Sequence, residues 1–228
     1  MIVRRAGKPE GMQVVIAGGH GKIALQLTQL LDERGDLVRS LIRNPDHSEE
    51  VADAGATEVI VCDLEQDDAD RIARAVGEAD AVVFAAGAGP DSGSDRKESM
   101  DYGGAVKLIE AAKENDIHRY VMVSAMAADP DHEGEETFDV YLRAKGKADR
   151  DLAESGLGFT IVRPGHLTDD EGTGKVFTSE AGSGDVGSIP RADVAAVLGA
   201  VLAQKSTIGK TFDVIGGKTP IEKSVGSL

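Results

Sequence analysis

Short apolar segments alternate with helical patterns along most of the chain. Residues 23–34 and 105–115 carry apolar side chains at helical spacing, which predicts amphipathic crossover helices. The apolar segments between such helices are short and rich in β-branched residues, as buried parallel strands are. They predict strands at residues 13–17, 37–42, 57–61, 81–85, 119–124 and 159–162.

Six strands that alternate with helices in this way predict an α/β fold. Right-handed crossovers place the helices on both faces of the sheet, so we expect a Rossmann-type doubly wound parallel β-sheet in a single domain. We expect residues 12–228 to form that domain and residues 1–11 to be a loose N-terminal extension.

The alternation becomes less regular after residue 162. The stretch 164–190 is rich in Gly, Asp, Ser and Thr, and a predicted helix at 192–203 and a predicted strand at 211–215 follow it. We expect residues 164–190 and the C-terminal segment to cover a substrate site.

Composition narrows the class of partner. The chain has 25 basic and 40 acidic residues and a net charge of −15, which repels nucleic acid and the anionic surface of a membrane. We therefore expect a small-molecule substrate, with no nucleic-acid or membrane partner. Cys62 is the single cysteine and is expected to be buried. No apolar stretch is long enough to span a bilayer, and the N-terminal residues contain no signal-like apolar segment, so we expect a cytoplasmic protein. We expect either a monomer or a homodimer.

A glycine-rich turn joins the first predicted strand to the first predicted helix. A diphosphate at a helix N-terminus meets free backbone N–H groups and the positive end of the helix dipole, and side chains at Gly18 and Gly21 would obstruct its approach. The strand-turn-helix context favours dinucleotide binding over a purely structural turn. The turn consists of Gly18, Gly19, His20, Gly21, Lys22 and Ile23.

The end of the second predicted strand indicates which dinucleotide binds. Proteins that select NAD usually have an acid there, which accepts hydrogen bonds from the ribose 2′-hydroxyl, whereas this chain has Arg43. A guanidinium binds a 2′-phosphate by charge-assisted hydrogen bonds, and Lys22 is expected to add a second positive charge. We therefore expect NADP as the cofactor. The alternative is that Arg43 is only a solvent-facing charge.

The third and fourth predicted strands end in residues suited to the rest of the cofactor. Asp63 can accept a hydrogen bond from the adenine amino group, and Leu64 can cover the ring. Ala85, Ala86 and Gly87 have almost no side-chain bulk, which lets the backbone approach the cofactor ribose or pack in a tight turn.

Tyr141 and Lys145 are four residues apart and therefore share one face of a predicted helix. A tyrosine with an ordinary pKa near 10 is a poor acid-base catalyst at neutral pH, and a nearby ammonium lowers that pKa. Ser124 ends the fifth predicted strand and is placed to hold a substrate oxygen beside Tyr141. The alternative is an amphipathic helix with an ordinary surface lysine.

In these residues the chain resembles the short-chain dehydrogenase/reductase superfamily, and specifically its atypical NADP-binding branch of epimerase- or dehydratase-like proteins. The resemblance covers residues 12–223. Besides the glycine turn and the Tyr-Lys pair, it rests on residues 160–165 and 191–195.

The resemblance implies a role for each matching residue. Ser124 would position a carbonyl or hydroxyl group, Tyr141 would transfer its proton, and Lys145 would bind the nicotinamide ribose and lower the pKa of the tyrosine. Asp101 stands where the superfamily usually has a fourth catalytic residue, Asn, and departs from that pattern. The residues expected to face the nicotinamide carboxamide are Pro164, Gly165, His166 and Leu167.

Three functions remain open at this stage. The first is an NADP(H)-dependent oxidoreductase or epimerase, and the second is a non-catalytic NADP-sensing regulatory protein. The third is a reductase of flavin-like or tetrapyrrole substrates, because few residues follow the sixth predicted strand. The acidic loop around His132 lacks the ligand spacing of known metal motifs, so no metal is expected. The other histidines are dispersed in the sequence, and only His166 is expected near the nicotinamide.

Overall fold

The computed structural model of the protein describes residues 11–89, 92–184 and 186–228. Within these residues, nine strands form one sheet and two short strands form a second. The strands are β1 (Gln13–Ala17), β2 (Leu37–Ile42), β3 (Glu58–Val61), β4 (Ala81–Phe84), β5 (Arg119–Val123), β6 (Gly158–Pro164), β7 (His166–Thr168), β8 (Lys175–Glu180), β9 (Ser188–Pro190), β10 (Lys210–Gly216) and β11 (Thr219–Pro220).

Helices connect most of the strands of the main sheet. They are α1 (Lys22–Arg34), α2 (Ser48–Asp53), α3 (Ala69–Val76), α4 (Ser94–Arg96), α5 (Ala105–Glu114), α6 (Thr137–Glu154), α7 (Arg191–Ala203) and α8 (Ile221–Gly226). A π-helical stretch, Lys97–Gly104, joins α4 to α5, and single 3₁₀ turns lie at Pro45–His47 and Lys205–Thr207. Among the described residues, no helix has the length and apolar character needed to cross a membrane.

The main sheet has the strand order β11-β8-β10-β6-β5-β4-β1-β2-β3. The pairs from β10 through β6, β5, β4, β1 and β2 to β3 are all parallel, which confirms the predicted doubly wound α/β fold. The predicted strand at 211–215 is β10. Two strands, β8 and β11, pair antiparallel at one edge and were not predicted.

The core lies on both faces of the sheet. In β1, Val14 and Ile16 face one layer, which α1 and α7 cover, while Val15 and Ala17 face the other layer, which includes α3 and α5. All four side chains are buried. A strand covered on both faces is apolar at every position, which is why this segment shows a continuous apolar run rather than alternation.

The order in which successive strands are added to the sheet reverses between β1 and β4. From β1 the order continues through β2 and β3 on one side and through β4, β5 and β6 on the other. Ligands of open α/β sheets bind outside the carboxyl ends of the strands at such a switch point. The glycine turn follows β1 and residues 85–87 follow β4, so both lie at this position.

The stretch 164–190 has more regular structure than expected. It contains β7, β8 and β9, and β8 hydrogen-bonds to the free edge of β10. In β8 only Val176 is fully buried, and Phe177 is largely exposed, so the strand is held by edge pairing more than by an apolar face. The expected loose extension lies outside the described residues for positions 1–10.

Candidate active site

The glycine turn is shaped by close approach of backbone segments. Gly18 has φ +82°, and a Cβ there would lie 2.6 Å from Cα of Ala86, while a Cβ on Gly19 would lie 2.7 Å from Cβ of Ser40. The N–H groups of Gly18 and Gly19 donate to the carbonyl of Leu41 at 3.2 and 2.9 Å. Contacts within the protein therefore already exclude side chains at residues 18 and 19, in addition to any effect on a ligand.

Helix α1 begins as an anion site requires. Gly21 is its N-cap, no side chain caps its first N–H groups, and no acid occupies its first turn. A cavity of about 250 Å³ opens beside this end of the helix. Uncapped N–H groups at a helix start bind phosphate, so the residues present fit the diphosphate of a dinucleotide.

Nine of the predicted cofactor residues line this cavity from four strand ends, whereas Gly19, Lys22 and Ile23 do not line it. Gly18, His20 and Gly21 line it together with Arg43. Asp63 also lines it, and its Oδ1 accepts a hydrogen bond from the N–H of Glu65 at 2.9 Å. The remaining lining residues are Leu41, Ile42, Asn44, His47, Cys62, Leu64, Ala85, Ala86, Gly87, Arg96 and Met100.

Two arginines that line the cavity contact one carboxylate, that of Glu65. Arg96 Nη2 lies 2.8 Å from Glu65 Oε2, and Arg43 Nη1 lies 3.5 Å from the same oxygen. Ser99 donates to Glu65 Oε1 at 2.6 Å. Burial alone would raise the pKa of Glu65, but the hydrogen bonds from Arg96 and Ser99 hold it below the ordinary value. The Arg43 side chain is 57 % exposed and remains accessible to a ligand. The sequence did not indicate Arg96.

Lys22 faces away from Arg43. Its ammonium lies 2.6 Å from Oδ2 of Asp169, and Arg191 Nη1 lies 2.8 Å from Oδ1 of the same carboxylate. Lys22 does not line the cavity that Arg43 lines. The expectation that Lys22 adds charge at the 2′-phosphate therefore has no support in this arrangement.

Two histidines that are far apart in the sequence are in contact. The rings of His20 and His47 stack with centroids 3.5 Å apart, and His20 Nε2 lies 2.8 Å from Glu50 Oε2. These histidines are dispersed in the sequence, and the fold brings this pair together because the turn after β1 meets the turn after β2. Among the described residues, no three metal-ligating side chains cluster together.

Cys62 is buried at the base of the cofactor cavity, as expected. Burial, together with the nearby Asp67 carboxylate, raises the pKa of its thiol to about 11. A thiol with that pKa is protonated at neutral pH and therefore a poor nucleophile, which agrees with a structural role.

A second cavity, of about 480 Å³, lies at the ends of β5 and β6. Ser124 and Tyr141 both line it, and so do Pro164, Gly165, His166 and Leu167. Its remaining lining residues are Ala125, Met126, Phe138, Leu142, Val186, Gly187 and Arg191. The residues expected around the reacting group therefore share one cavity, with the exception of Lys145 and Asp101.

Lys145 and Asp101 lie beneath that cavity as a buried pair. Lys145 Nζ is 3.3 Å from Asp101 Oδ1, donates to the carbonyl of Val123 at 3.1 Å, and lies 6.0 Å from the centroid of the Tyr141 ring. The N–H of Ala88 donates to Asp101 Oδ2 at 3.3 Å. Although burial lowers the pKa of Lys145, the charges of Asp101 and Tyr141 raise it above the ordinary value. Asp101 is thus the counter-ion of Lys145.

The pKa of Tyr141 is raised, contrary to the expectation from its spacing to Lys145. Burial raises it more than the Lys145 ammonium lowers it, and the Asp101 and Asp149 carboxylates add to the rise. A second ammonium, that of Lys97 on the π-helical stretch, lies 5.4 Å from the Tyr141 ring centroid. Helical spacing in the sequence does not indicate Lys97, because a π-helix does not follow the ordinary helical period.

Ser124 belongs to a buried network whose other members, Asp149 and Arg163, were not predicted. Its hydroxyl donates to Asp149 Oδ2 at 2.8 Å, and Arg163 Nε donates to the same oxygen at 2.8 Å. Asp149 follows Tyr141 and Lys145 at four-residue intervals on α6, so the three lie on one helical face. That spacing was the signal available in the sequence.

Comparison with known proteins agrees with the fold. The Bacillus subtilis protein YhfK, named as an uncharacterized sugar epimerase, is 37% identical over 95% of this chain and 100% of its own length. A solved structure from Bacillus halodurans, named for the NAD-dependent epimerases/dehydratases, is 42% identical with a TM-score of 0.89, covering 96% of this chain and 100% of that one. The oxidoreductase YlbE from Lactococcus lactis is 26% identical with a TM-score of 0.83, over 95% and 96% of the two chains.

The parallel sheet and the uncapped helix at its switch point define a dinucleotide-binding protein of the Rossmann type. Residues 18–205 match the model of the family described as NAD(P)H-binding, and the chain belongs to that family. The matched region begins at the glycine turn and includes Ser124, Tyr141 and Lys145.

Proposed function

We propose that the protein is an NADP(H)-dependent oxidoreductase or epimerase of the short-chain dehydrogenase/reductase type, acting on a carbonyl or hydroxyl group of a small or planar substrate. The observation that carries this proposal is that Ser124 and Tyr141 line one cavity, with the Lys145 ammonium beneath the tyrosine ring. That cavity lies at the end of β5, and the cofactor cavity lies at the end of the neighbouring strand β4.

The preference for NADP rests on charge at the end of β2. Arg43 occupies the position where an acid would favour NAD, and Arg96 adds a second guanidinium to the lining of the same cavity. Glu65 holds both guanidinium groups in the absence of a phosphate. A 2′-phosphate would share or replace the longer of these contacts, that of Arg43.

The chain's own residues supply the proton and the orientation. When bound, the nicotinamide ring gives or takes up a hydride at the substrate carbon. Tyr141 gives its phenolic proton to the substrate oxygen during reduction and takes that proton back during oxidation. Ser124 donates its own hydrogen to Asp149, so it accepts a hydrogen bond from the substrate hydroxyl or from the phenol. Because the pKa of Tyr141 is raised by burial, the phenol is protonated at neutral pH, which favours reduction.

The relatives support an activity of this kind. YhfK is named as a sugar epimerase and YlbE as an oxidoreductase, and both align over nearly the whole chain. Epimerisation by oxidation and re-reduction would use Ser124, Tyr141 and Lys145 in both directions. The choice between reduction and epimerisation depends on the substrate.

A non-catalytic NADP sensor is the second candidate. The observation in its favour is the raised pKa of Tyr141, because the Lys145 ammonium is held by Asp101 and does not bring the phenol into the range of a neutral-pH base. In this case the cofactor would change a protein-binding surface, and Tyr141 would be only a packing residue.

Calorimetry and a turnover assay together test these proposals. We expect NADP and NADPH to release heat of binding, and NAD to bind more weakly. NADPH oxidation is then followed with aldehydes, ketones, quinones and flavins as acceptors. If neither NADP nor NADPH binds, the cofactor proposal is overturned. Binding without oxidation of NADPH by any acceptor favours the sensor.

A further inference from the structure

The second cavity has one permanent positive charge. Arg191, the first residue of α7, lines it, and the only other ionisable side chains among its described lining residues are Tyr141 and His166. No carboxylate is among those lining residues, although the chain has a net charge of −15. An arginine facing a cavity from which acids are absent is a site for an anion.

The partner of Arg191 is a carboxylate that can be exchanged. Asp169 contacts Arg191 at 2.8 Å, its side chain is 59 % exposed, and it does not line the cavity. Lys22 contacts the other oxygen of Asp169 at 2.6 Å. The Arg191 side chain is 27% exposed, and an ion pair whose carboxylate is exposed contributes little stability. Arg191 can therefore bind a second anion while Asp169 keeps Lys22 as its partner.

The rest of the lining suits a flat apolar body. Phe138 lines the cavity with its side chain 64% exposed, and its ring lies 5.9 Å from the ring of Tyr141 at an interplanar angle of 30°. Met126, Leu142 and Leu167 line the same cavity. An exposed aromatic ring beside the proton donor offers a stacking surface for a planar group.

We propose that the substrate is a flat carbonyl compound that carries a carboxylate, which Arg191 binds. Its planar body stacks on Phe138 and its carbonyl oxygen accepts a hydrogen bond from the Tyr141 phenol. This inference rests on the proposed function for the reaction, but the binding of the carboxylate by Arg191 does not depend on turnover. Asp169 forms an ion pair with Arg191 when no substrate is bound.

The test compares two probes that differ in one charge. The probes are 4-formylbenzoate and its methyl ester, and binding to the full chain is measured by ligand-observed NMR with and without NADP. We expect the wild-type protein to bind the acid at least about tenfold more tightly than the ester, as one charge-assisted hydrogen bond provides. Arg191→Gln should remove this preference and leave ester binding unchanged. Arg150→Gln, on the exposed face of α6, should change neither.

A second variant has the opposite expected sign. Asp169→Asn removes the competing carboxylate, so it should tighten binding of 4-formylbenzoate and not of the ester, and the gain should vanish in the Asp169→Asn/Arg191→Gln double variant. Equal binding of acid and ester by the wild-type protein, or equal losses for both in Arg191→Gln, overturns the inference. A preference for the acid in a protein that does not oxidise NADPH supports Arg191 and refutes the proposed reaction.

Discussion

Ser124 donates the hydrogen of its hydroxyl to Oδ2 of Asp149, and both side chains are buried. A serine hydroxyl has one hydrogen, so with this bond in place Ser124 can only accept a hydrogen bond from a substrate or from a neighbouring phenol. Arg163 donates to the same oxygen, and among the described residues nothing hydrogen-bonds to Oδ1 of Asp149. Ser124 therefore enters the second cavity as a hydrogen-bond acceptor while it is bound to Asp149.

Asp149→Asn should change how stability depends on pH. Burial raises the pKa of Asp149, even though Arg163 and Ser124 lower it in part. A carboxyl whose pKa is higher in the folded chain costs stability once the pH rises above the unfolded pKa of about 4. The variant lacks this cost. The difference in free energy of unfolding, variant minus wild type, should therefore become more positive as the pH rises above about 4.

The measurement is urea unfolding of both proteins across the acid and neutral range. The variant should also show a constant loss, because the Arg163 charge is left without its partner. Asp53→Asn is the control, since Asp53 is exposed at the end of α2. A difference between variant and wild type that stays constant with pH contradicts the prediction.

Arg43→Asp should weaken the binding of NADP much more than that of NAD. The change replaces attraction to the 2′-phosphate by repulsion, and the loss of a charge-assisted contact corresponds to roughly 10- to 100-fold in affinity. Calorimetry with both cofactors gives the ratio of affinities. Arg74→Asp on α3 is exposed and does not line the cavity, so it should leave that ratio unchanged. Equal losses of affinity for NADP and NAD would show that Arg43 does not bind the 2′-phosphate.

The sequence was sufficient for the parallel part of the sheet and insufficient for its antiparallel edge. The central strands β1 and β4 are apolar on both faces, and such runs are visible in a sequence. β8 has one fully buried side chain, Val176, and exists because the edge of β10 offers free backbone groups, which no local pattern reports.

The candidate site likewise has features that the sequence predicts and features that it does not. Backbone features such as the turn at Gly18 follow from local spacing, whereas the partners of charged side chains depend on long-range contacts. Lys22 meets Asp169, which is 147 positions away, and Ser124 at the end of β5 meets Asp149 on α6, which is 25 positions away. The raised pKa of Tyr141 follows from its burial, which the four-residue spacing to Lys145 does not report.

Gly18→Ala should destabilise the protein more than Gly156→Ala does. The two glycines have nearly the same φ, +82° and +83°, so both substitutions place Ala in the left-handed region at a cost of about 1 kcal/mol. Only at Gly18 does the new Cβ meet backbone, 2.6 Å from Cα of Ala86, whereas nothing lies within 4 Å at Gly156. We expect an additional loss of about 1–3 kcal/mol for Gly18→Ala in urea unfolding. Equal losses for the two variants would mean that the turn after β1 can move away from residues 85–87.

Tyr141→Phe should abolish turnover and preserve cofactor binding. The phenylalanine ring keeps the packing against Phe138 and beside Lys97, but the proton donor is gone, and such a loss costs about 10²- to 10⁴-fold in rate. Tyr102→Phe is the matched control, because the Tyr102 hydroxyl donates to Asp151 and does not line the second cavity. It should lose a hydrogen bond, worth about 1 kcal/mol of stability, and keep its activity.

The pH dependence of reduction separates a proton donor from a packing residue at position 141. Because burial raises the pKa of Tyr141, the phenol stays protonated through neutral pH, and the rate of reduction should fall only as the pH exceeds about 10. In the oxidative direction the phenolate is the active form, so that rate should rise with pH over the same range. If Tyr141→Phe reduces an accepted carbonyl compound as fast as the wild-type protein, the proton comes from elsewhere and Tyr141 only packs.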